Sequence, residues 1–235
     1  SMRTANQYYR QRFGCKVYKL SLDGGFTCPN RDGRLGIGGC RFCSGAGSGE
    51  FATTGKGVAD QLARAKKWVE KKCADGKYIA YFQSFTNTYA PVERMETMFR
   101  AAMEPEDIVG LAIATRPDCL PEETVALLAR LAREKYVSVE LGLQTVHNDT
   151  ARAMNRCYDT DVYFDAVRRL HNAGLEVVTH LILGLPGESR EAMVESARQV
   201  AAAGTDGVKF HLLHVMADAP LAEDFAAGTF RCLEL

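Results

Sequence analysis

The segment CPNRDGRLGIGGCRFC spans Cys28–Cys43 and carries three of the chain's eight cysteines. Three thiolates on one short loop are costly to keep unpaired, which predicts that they share a metal centre. A structural zinc ion normally takes four protein ligands, and a four-iron cluster usually takes four cysteines. Because no second C-x-x-C pair follows, a four-iron cluster on Cys28, Cys40 and Cys43 would leave one iron open to another molecule.

Glycine is concentrated around these cysteines, since 11 of the 21 glycines lie between Gly24 and Gly57. Glycine lets the backbone approach a bulky inorganic centre and turn its N–H groups toward the sulfurs. Phe42, between the last two cysteines, would shield such a centre from water. A zinc knuckle with a fourth ligand from elsewhere in the fold, or a reduced loop without metal, is the structural alternative.

Length and composition indicate one globular domain of 235 residues, 46% of them hydrophobic. No apolar run approaches the roughly 20 residues of a membrane helix, and no signal peptide is visible. Eight cysteines in such a chain predict a reducing compartment, and therefore the cytoplasm. We expect an N-terminal extension at 1–15 and a core domain at 16–235, with a natural chain that continues beyond residue 235.

The charge is zero overall but is unevenly distributed. Up to Ser48 the chain has eight basic residues against two acidic ones, an excess of six positive charges. A basic region around the cysteine loop would attract phosphates. An ordinary solvated surface is the alternative explanation.

Strand-like and helical segments alternate along the chain. Strands are predicted to start near 16, 77, 108, 136, 175 and 206, which gives six strand–helix units. This alternation predicts a parallel sheet with helices outside it. Six units are two short of a closed eight-fold barrel, so the predicted α/β fold is a curved, partly open (β/α)6 barrel.

In such barrels, functional residues lie at the carboxyl ends of the strands. In the fourth strand, Ser138, Glu140 and Gln144 share one face by the period of two. Glu140 lies between apolar neighbours and needs a partner or a ligand, because an unpaired buried charge is costly. A structural ion pair is the alternative. Near the sixth strand end, His211 and His214 lie on opposite faces, so at most one of them faces the interior.

The cysteine spacing resembles the cluster loop of radical S-adenosylmethionine (SAM) enzymes, in which three cysteines end in C-x-aromatic-C after a first strand. Eleven residues separate Cys28 from Cys40, as in the branch that includes the Elongator catalytic subunit. The runs KVYKL (Lys16–Leu20) and GFTCPNRDG (Gly25–Gly33) resemble the bacterial YhcC/YtqA group, also called the MnmL type. The resemblance extends from about Tyr8 to the last residue.

This resemblance implies an open TIM-like barrel of the radical SAM type and two cofactors. A [4Fe-4S] cluster is held by Cys28, Cys40 and Cys43, and its open iron is chelated by the amino and carboxylate groups of SAM. An external donor such as flavodoxin or ferredoxin provides one electron. SAM is then cleaved to methionine and a 5′-deoxyadenosyl radical, which takes a hydrogen atom from the substrate.

The resemblance also implies which residues contact SAM. Glu140 and Gln144 are on the strand that faces it, and Arg156 matches the position that holds the methionyl carboxylate. The remaining candidates are backbone groups for the adenine and polar side chains for the methionyl amino group: Leu183, Gly184, Ser84, Thr86 and Asn87. This sequence departs from the group at Cys157-Tyr158, where Gly-His is common. No catalytic residue is assigned.

The implied substrate is the side chain of a tRNA wobble uridine. Members of the MnmL type are implicated in converting carboxymethylaminomethyl-uridine to aminomethyl-uridine. Another radical reaction, such as methylthiolation or dehydrogenation of a small molecule, is one alternative. A zinc-stapled RNA-binding module without catalysis is an alternative of a different class.

Overall fold

The computed structural model contains one sheet of six parallel strands in the sequential order β1 to β6. It describes residues 2–35, 37, 39–43, 57–69, 76–83 and 86–233. The strands are β1 (Val17–Leu22), β2 (Lys77–Phe82), β3 (Ile108–Thr115), β4 (Tyr136–Gln144), β5 (Glu176–Leu183) and β6 (Gly207–Leu212). All six begin within one residue of the predicted positions, and the predicted open barrel is confirmed.

Helices cover the outer face of the sheet, because the helices and the sheet each present apolar residues to the other. Leu20, Phe82 and Leu141 project outward from their strands into one core, where they meet helical residues such as Phe99 and Tyr163. The helices are α1 (Ala5–Phe13), α2 (Val58–Val69), α3 (Val92–Met103), α4 (Glu122–Ala132), α5 (Asn148–Ala153), α6 (Thr160–Asn172), α7 (Arg190–Ala202) and α8 (Leu221–Ala226).

The short helix α1 packs on the inner face of the sheet, at the amino ends of the strands. It begins with a capping box at Thr4 and ends at Gly14, whose φ of 72° is left-handed. Tyr9 packs against Val17 and Tyr136, the first residues of β1 and β4. The helix therefore fills the barrel at the end opposite the cysteine loop. The division into 1–15 and 16–235 stays a prediction.

The position of α1 contradicts the expectation that the basic residues gather around the cysteine loop. Only three of the eight early basic residues, Arg31, Arg34 and Arg41, lie in the cysteine loop. The other five precede β1 or lie within it, because the chain enters the barrel from the opposite end. Of the loop arginines, Arg41 forms an ion pair with Asp224. The basic excess is therefore not gathered at the mouth of the barrel.

In the part of the chain that the structure describes, no helix has the length and apolar character needed to cross a membrane.

Candidate functional site

The cysteine loop follows β1 and lies at the carboxyl ends of the strands. Its start is fixed by the segment after β2, since the Thr86 amide donates to the carbonyl of Thr27 at 3.1 Å. Its end is fixed by α8, where the Leu221 amide donates to the carbonyl of Arg41 at 3.0 Å. Phe42 packs into an apolar cluster with Met154, Leu185, Leu213 and Leu221.

Two asparagines fasten the loop to the segment after α5. The Asn30 side chain is fully buried, and its amide donates to the carbonyl of Asn155 at 2.5 Å. In return, the Asn155 side chain donates to the carbonyl of Gly39 at 3.0 Å. The Gly39 amide donates to the carbonyl of Asn30 at 2.8 Å, which closes the circuit. The positions of the cysteines thus depend on a residue more than a hundred positions away in the sequence.

The thiols lie close together and are electrostatically coupled. A hydrogen bond from the Cys40 thiol lowers the pKa of Cys43, and Arg31 lowers that pKa further. Burial and the charge of Cys28 oppose this shift. The Asn30 amide nitrogen lies 3.5 Å from the Cys40 sulfur. Thiolates are the ligands of iron–sulfur clusters, and hydrogen bonds to sulfur tune them, so this donor set fits such a cluster.

The backbone of the loop needs glycine at position 39. Gly39 has a φ of 82°, which side-chain-bearing residues rarely adopt. A Cβ at this position would also lie 2.8 Å from Nε of Arg31. The Arg31 guanidinium therefore packs directly on the Gly39 backbone, next to Cys43. Among the described residues, no three His, Cys, Asp or Glu side chains are arranged around a single-ion site.

The residues predicted for the methionyl amino group lie after β2. Thr86 and Asn87 are buried, and Asn87 donates to the carbonyl of Ala114 through both its amide and its side chain, at 3.1 and 3.0 Å. This segment therefore spans the gap between the start of the cysteine loop and the end of β3. Ser84 lies outside the described residues.

Arg156 has a different environment from the one predicted. Its guanidinium is buried, and all five N–H groups have protein acceptors. The acceptors are the carbonyls of Leu143, Thr145 and Tyr158 and the hydroxyl of Thr160. These bonds hold the segments that follow β4 and α5 together. A methionyl carboxylate could be gripped only if some of these bonds were given up.

The two residues that flank Arg156 have left-handed backbones. Asn155 has a φ of 58° and Cys157 a φ of 67°. Asparagine tolerates this conformation, whereas cysteine is strained in it. Glycine at position 157 would relieve this strain. The Cys157 sulfur lies 3.2 Å from Oδ1 of Asn30.

The backbone groups predicted for the adenine already have partners. The Leu183 carbonyl accepts from the Leu213 amide at 2.9 Å, and the Gly184 amide lies 3.3 Å from the sulfur of Met193. Gly184 is buried, and a Cβ there would lie 2.9 Å from the Leu233 side chain. Gln144, at the end of β4, has a φ of 70° and a half-buried side chain. Contact of these residues with SAM stays a prediction.

Glu140 lies in the interior of the barrel with its carboxylate completely buried. It accepts from Lys19 at 2.6 Å, from Lys209 at 2.8 Å and from the Tyr81 hydroxyl at 2.9 Å. A fourth contact joins it to Nε2 of His180 at 2.6 Å. These contacts match the ion-pair alternative that the sequence left open.

The pKa of Glu140 reflects this balance. Burial alone raises the pKa, but the His180 hydrogen bond and the charges of Lys19 and Lys209 outweigh burial and hold the pKa well below its usual range. The carboxylate is therefore ionised at neutral pH. It also joins both edges of the sheet, since Lys19 lies on β1 and Lys209 on β6.

Two histidines continue this cluster toward the mouth of the barrel. Nδ1 of His180 lies 3.0 Å from Nε2 of His211, and the two rings stack with centroids 4.9 Å apart. His211 is thus the member of the His211/His214 pair that faces inward. Since Glu140 is ionised, His180 donates to it through Nε2.

Sequence reasoning did not assign Lys19, Lys209 and His180 to the site. Lys19 and Lys209 occupy the inward positions of β1 and β6 together with Ser21 and His211, and this period-two signal could have identified them. Arg116 lies in the polar segment at the end of β3 and was given no role from the sequence. It binds Asp118 through two hydrogen bonds of 2.9 and 3.0 Å and the carbonyl of Arg156 at 2.7 Å. A hydrogen bond with Cys43 and burial raise the pKa of Cys40, and the charge of Arg116 acts against that rise.

The sequence profile of the radical SAM superfamily matches residues 28–200. The protein YtqA of Bacillus subtilis is 47% identical over 231 residues, which cover 98% of this chain and 72% of YtqA. The protein YhcC of Escherichia coli is 40% identical over 226 residues, 96% of this chain and 72% of YhcC. These similarities confirm the group that the sequence motifs indicated.

More distant similarities include one protein named for tRNA uridine modification and one solved structure. The tRNA uridine(34) acetyltransferase of Methanocaldococcus infernus is 34% identical over 83 residues, 35% of this chain and 15% of that protein. Among solved structures, M. infernus Elp3 superposes with a TM-score of 0.65 at 20% identity, over 92% of this chain and half of that one (50%). The latter similarity concerns the fold alone. With its cysteine loop at the carboxyl ends of six parallel strands, the chain belongs to the radical SAM superfamily.

Proposed function

We propose that this chain is the catalytic core of a tRNA-modifying radical enzyme that converts carboxymethylaminomethyl-uridine at the wobble position to aminomethyl-uridine. The observation that carries this proposal is the three-cysteine loop above an interior lined by Lys19, Lys209 and His211. This interior is charged, whereas the binding site of a protein that takes apolar substrates would be lined by hydrophobic side chains. The substrate's arm ends in a carboxylate.

Family membership implies two cofactors, SAM and a [4Fe-4S] cluster, and the cluster would be held by Cys28, Cys40 and Cys43. When bound, they would supply a 5′-deoxyadenosyl radical and take up the two electrons that the substrate loses. The hydrogen bonds of Asn30 and Asn155 hold the cysteine loop, and with it the three thiols, in position. Thr86, Asn87 and Gln144 would be available to bind SAM, since their positions at the carboxyl ends of β2 and β4 place them on the same side of the sheet as the cysteine loop.

Exclusion of water is the second task of the chain. Phe42, between two of the cysteines, packs with Leu185 and Leu213 on the barrel wall. This apolar group lies between the cysteine loop and the strand ends. A radical formed there would be separated from solvent, which prevents its loss in side reactions.

Three observations support a tRNA substrate. The M. infernus relative is named for action on tRNA uridine 34, and it matches 83 residues of this chain. An open barrel of six strands leaves room for one nucleotide extruded from an RNA loop. Arg34, exposed in the cysteine loop, is available to a phosphate. With a net charge of zero, the chain would bind RNA with modest affinity.

The proposed conversion is a two-electron oxidation followed by hydrolysis. Loss of one hydrogen atom and one electron from the methylene group beside the carboxylate gives a C=N bond. Water adds to that bond, and the C–N bond breaks. The amine stays on the uridine, and the two-carbon unit leaves as glyoxylate. The external donor, such as flavodoxin or ferredoxin, provides the first electron only.

The test is anaerobic turnover of the reduced protein with SAM and tRNA that carries the carboxymethylaminomethyl group. We expect 5′-deoxyadenosine and aminomethyl-uridine in equal amounts, and neither product with Cys40→Ala. If 5′-deoxyadenosine forms at the same slow rate with and without this tRNA, and the nucleoside is unchanged, the substrate assignment is wrong. The radical enzyme assignment would survive that result.

A further inference from the structure

Two lysines share one carboxylate inside the barrel. Lys19 on β1 and Lys209 on β6 bind opposite oxygens of Glu140, at 2.6 and 2.8 Å. Both ammonium groups also lie over the ring of Tyr81, 4.5 and 4.7 Å from its centroid. One carboxylate thus faces two ammonium groups. The space around Lys19, Lys209 and Glu140, called the chamber below, therefore has a surplus of one positive charge.

The remaining neighbours do not neutralise this surplus. Tyr81 stays protonated, since burial and the nearby Glu140 raise its pKa far above the usual range. The pKa of His211 is lowered by burial, His180 and Lys209, against the opposing charge of Glu140, so His211 is neutral at pH 7. Glu140 itself is saturated by four contacts.

The lysines repel each other as a result. Burial and the charge of Lys209 lower the pKa of Lys19 to about 8, although Glu140 acts in the opposite direction. A structural ion pair needs one lysine for one carboxylate, so the second lysine is not explained by stability alone. An anion placed between the two ammonium groups would remove the repulsion.

The two lysine side chains remain partly accessible. The Lys19 and Lys209 side chains keep 21% and 33% of their surface exposed, whereas Glu140 keeps none. Each ammonium has three N–H donors, so both can bind a ligand without releasing Glu140. His211 and Leu213 alternate on β6 and share a face, and Leu213 packs with Phe42 of the cysteine loop. The lysine pair therefore lies deeper in the barrel than the cysteines.

A buried polar group with no partner in the described part of the chain lies deeper in the barrel than Glu140. The Ser138 hydroxyl is fully buried and has no hydrogen-bond partner among the described residues. It lies on the same face of β4 as Glu140, one inward position further from the mouth. A buried hydroxyl without a partner is costly, and a bound molecule or water would satisfy it.

We propose that Lys19 and Lys209 form a receptor for the terminal carboxylate of the substrate's side chain. The identity of that side chain rests on the proposed function. It would draw the arm into the barrel and stop it at the lysines. The methylene group next to the carboxylate would then lie between the lysine pair and the cysteine loop. The same contacts distinguish the carboxylate-bearing substrate from the aminomethyl product, which lacks the anion.

A small probe tests the receptor without turnover. N-methylglycine has the same amine, methylene and carboxylate as the substrate arm, and methylamine lacks the carboxylate. In the intact protein with 13C-labelled lysine, N-methylglycine should shift the Cε signals of Lys19 and Lys209 and raise the pKa of Lys19 above about 8. Methylamine should shift neither signal. Lys77, exposed at the start of β2, provides the control signal.

Substitutions test the same claim by affinity. Lys209→Met should weaken N-methylglycine binding at least about ten-fold, the usual effect of losing a charged hydrogen bond. Lys209→Arg keeps the charge and should keep most of the affinity, and Lys77→Met should match wild type. The wild-type affinity should fall as the pH rises through about 8, because Lys19 then loses its proton.

The outcomes separate the two proposals. Unmoved Lys19 and Lys209 signals in the wild type, or a Lys209→Met variant with wild-type affinity, would overturn the receptor even if tRNA is converted. Signals that move as expected would support it even if the tRNA is not converted, and only the tRNA assignment would then fail. If a variant does not fold, the response of the Lys19 and Lys209 signals in the wild type alone tests the receptor.

Discussion

The side-chain amide of Asn30 donates a 2.5 Å hydrogen bond to the backbone carbonyl of Asn155. Asn30 lies two residues after Cys28, and Asn155 precedes Arg156, so this contact joins the cysteine loop to the segment beneath it. The same amide nitrogen lies 3.5 Å from the Cys40 sulfur. One buried side chain therefore both positions the loop and faces a cluster ligand.

Asn30→Ala removes these contacts and leaves the buried Asn155 carbonyl without this donor. We expect a loss of about 1–3 kcal/mol in unfolding free energy. Less iron should be retained after desalting, because the loop holds its thiols less firmly. Thermal unfolding and iron analysis of anaerobically purified protein test this, with the exposed Asn172→Ala as control. Equal iron content and equal Tm in Asn30→Ala and wild type would show that the loop does not depend on Asn30.

Arg156→Ala separates a structural role from the predicted contact with SAM. The change leaves several buried carbonyls without donors, at a cost of about 2–4 kcal/mol, or roughly 5–10 °C in Tm. Arg152→Ala, on the exposed side of α5 with 62% of its side chain accessible, should change Tm little. A variant with wild-type Tm but weaker SAM binding in calorimetry would favour the carboxylate contact and contradict the structural role.

Position 157 tests the strained backbone. At a φ of 67°, glycine is relaxed and both cysteine and alanine are strained. Cys157→Gly should therefore be more stable than Cys157→Ala by about 1 kcal/mol, after allowance for the greater freedom of glycine in the unfolded chain. Comparing these two variants removes the effect of the lost sulfur. An alanine variant at least as stable as the glycine variant would rule out strain at this position.

Glu140→Gln should destabilise the protein at pH 7 by about 3–5 kcal/mol, because two lysines and His180 lose their carboxylate. The folded-state pKa of Glu140 lies below the usual value of 4.5, so its stabilising effect is present above that pH and lost as the pH falls. The difference from wild type should therefore shrink at pH 4. Urea unfolding at both pH values measures it, with the exposed Glu191→Gln as control. A difference that is the same at pH 7 and pH 4 would contradict the depressed pKa.

Most of the fold could be predicted because its signals are local. Alternation in β4 and the apolar stripe of α6 depend on spacing within one element, and the strands begin where the patterns place them. Helix α1 carried no comparable signal, because its apolar residues Tyr9 and Phe13 are mixed with arginines. Only the folded chain shows that these rings pack beneath the sheet.

The site could be predicted only in part because its contacts are distant in sequence. The cysteines were visible from their spacing. The acceptors around Arg156 come from two different loops, so no local pattern indicated that its five donors were occupied. Glu140 was recognised as needing a partner, but Lys19 and Lys209 lie on the two edge strands and meet it only when the sheet curls.

Iron and sulfide analysis of anaerobically reconstituted cysteine variants tests whether Cys28, Cys40 and Cys43 hold a four-iron cluster. Wild type and Cys15→Ala, whose cysteine lies at the opposite end of the barrel, should each hold about four irons and four sulfides per chain. Cys28→Ala, Cys40→Ala and Cys43→Ala should each lose most of both, because each removes one of three ligands. In wild type, addition of SAM should change the electron paramagnetic resonance signal of the reduced cluster, as its open iron gains ligands. One zinc ion and no iron in wild type, or equal iron in all five proteins, would contradict the account.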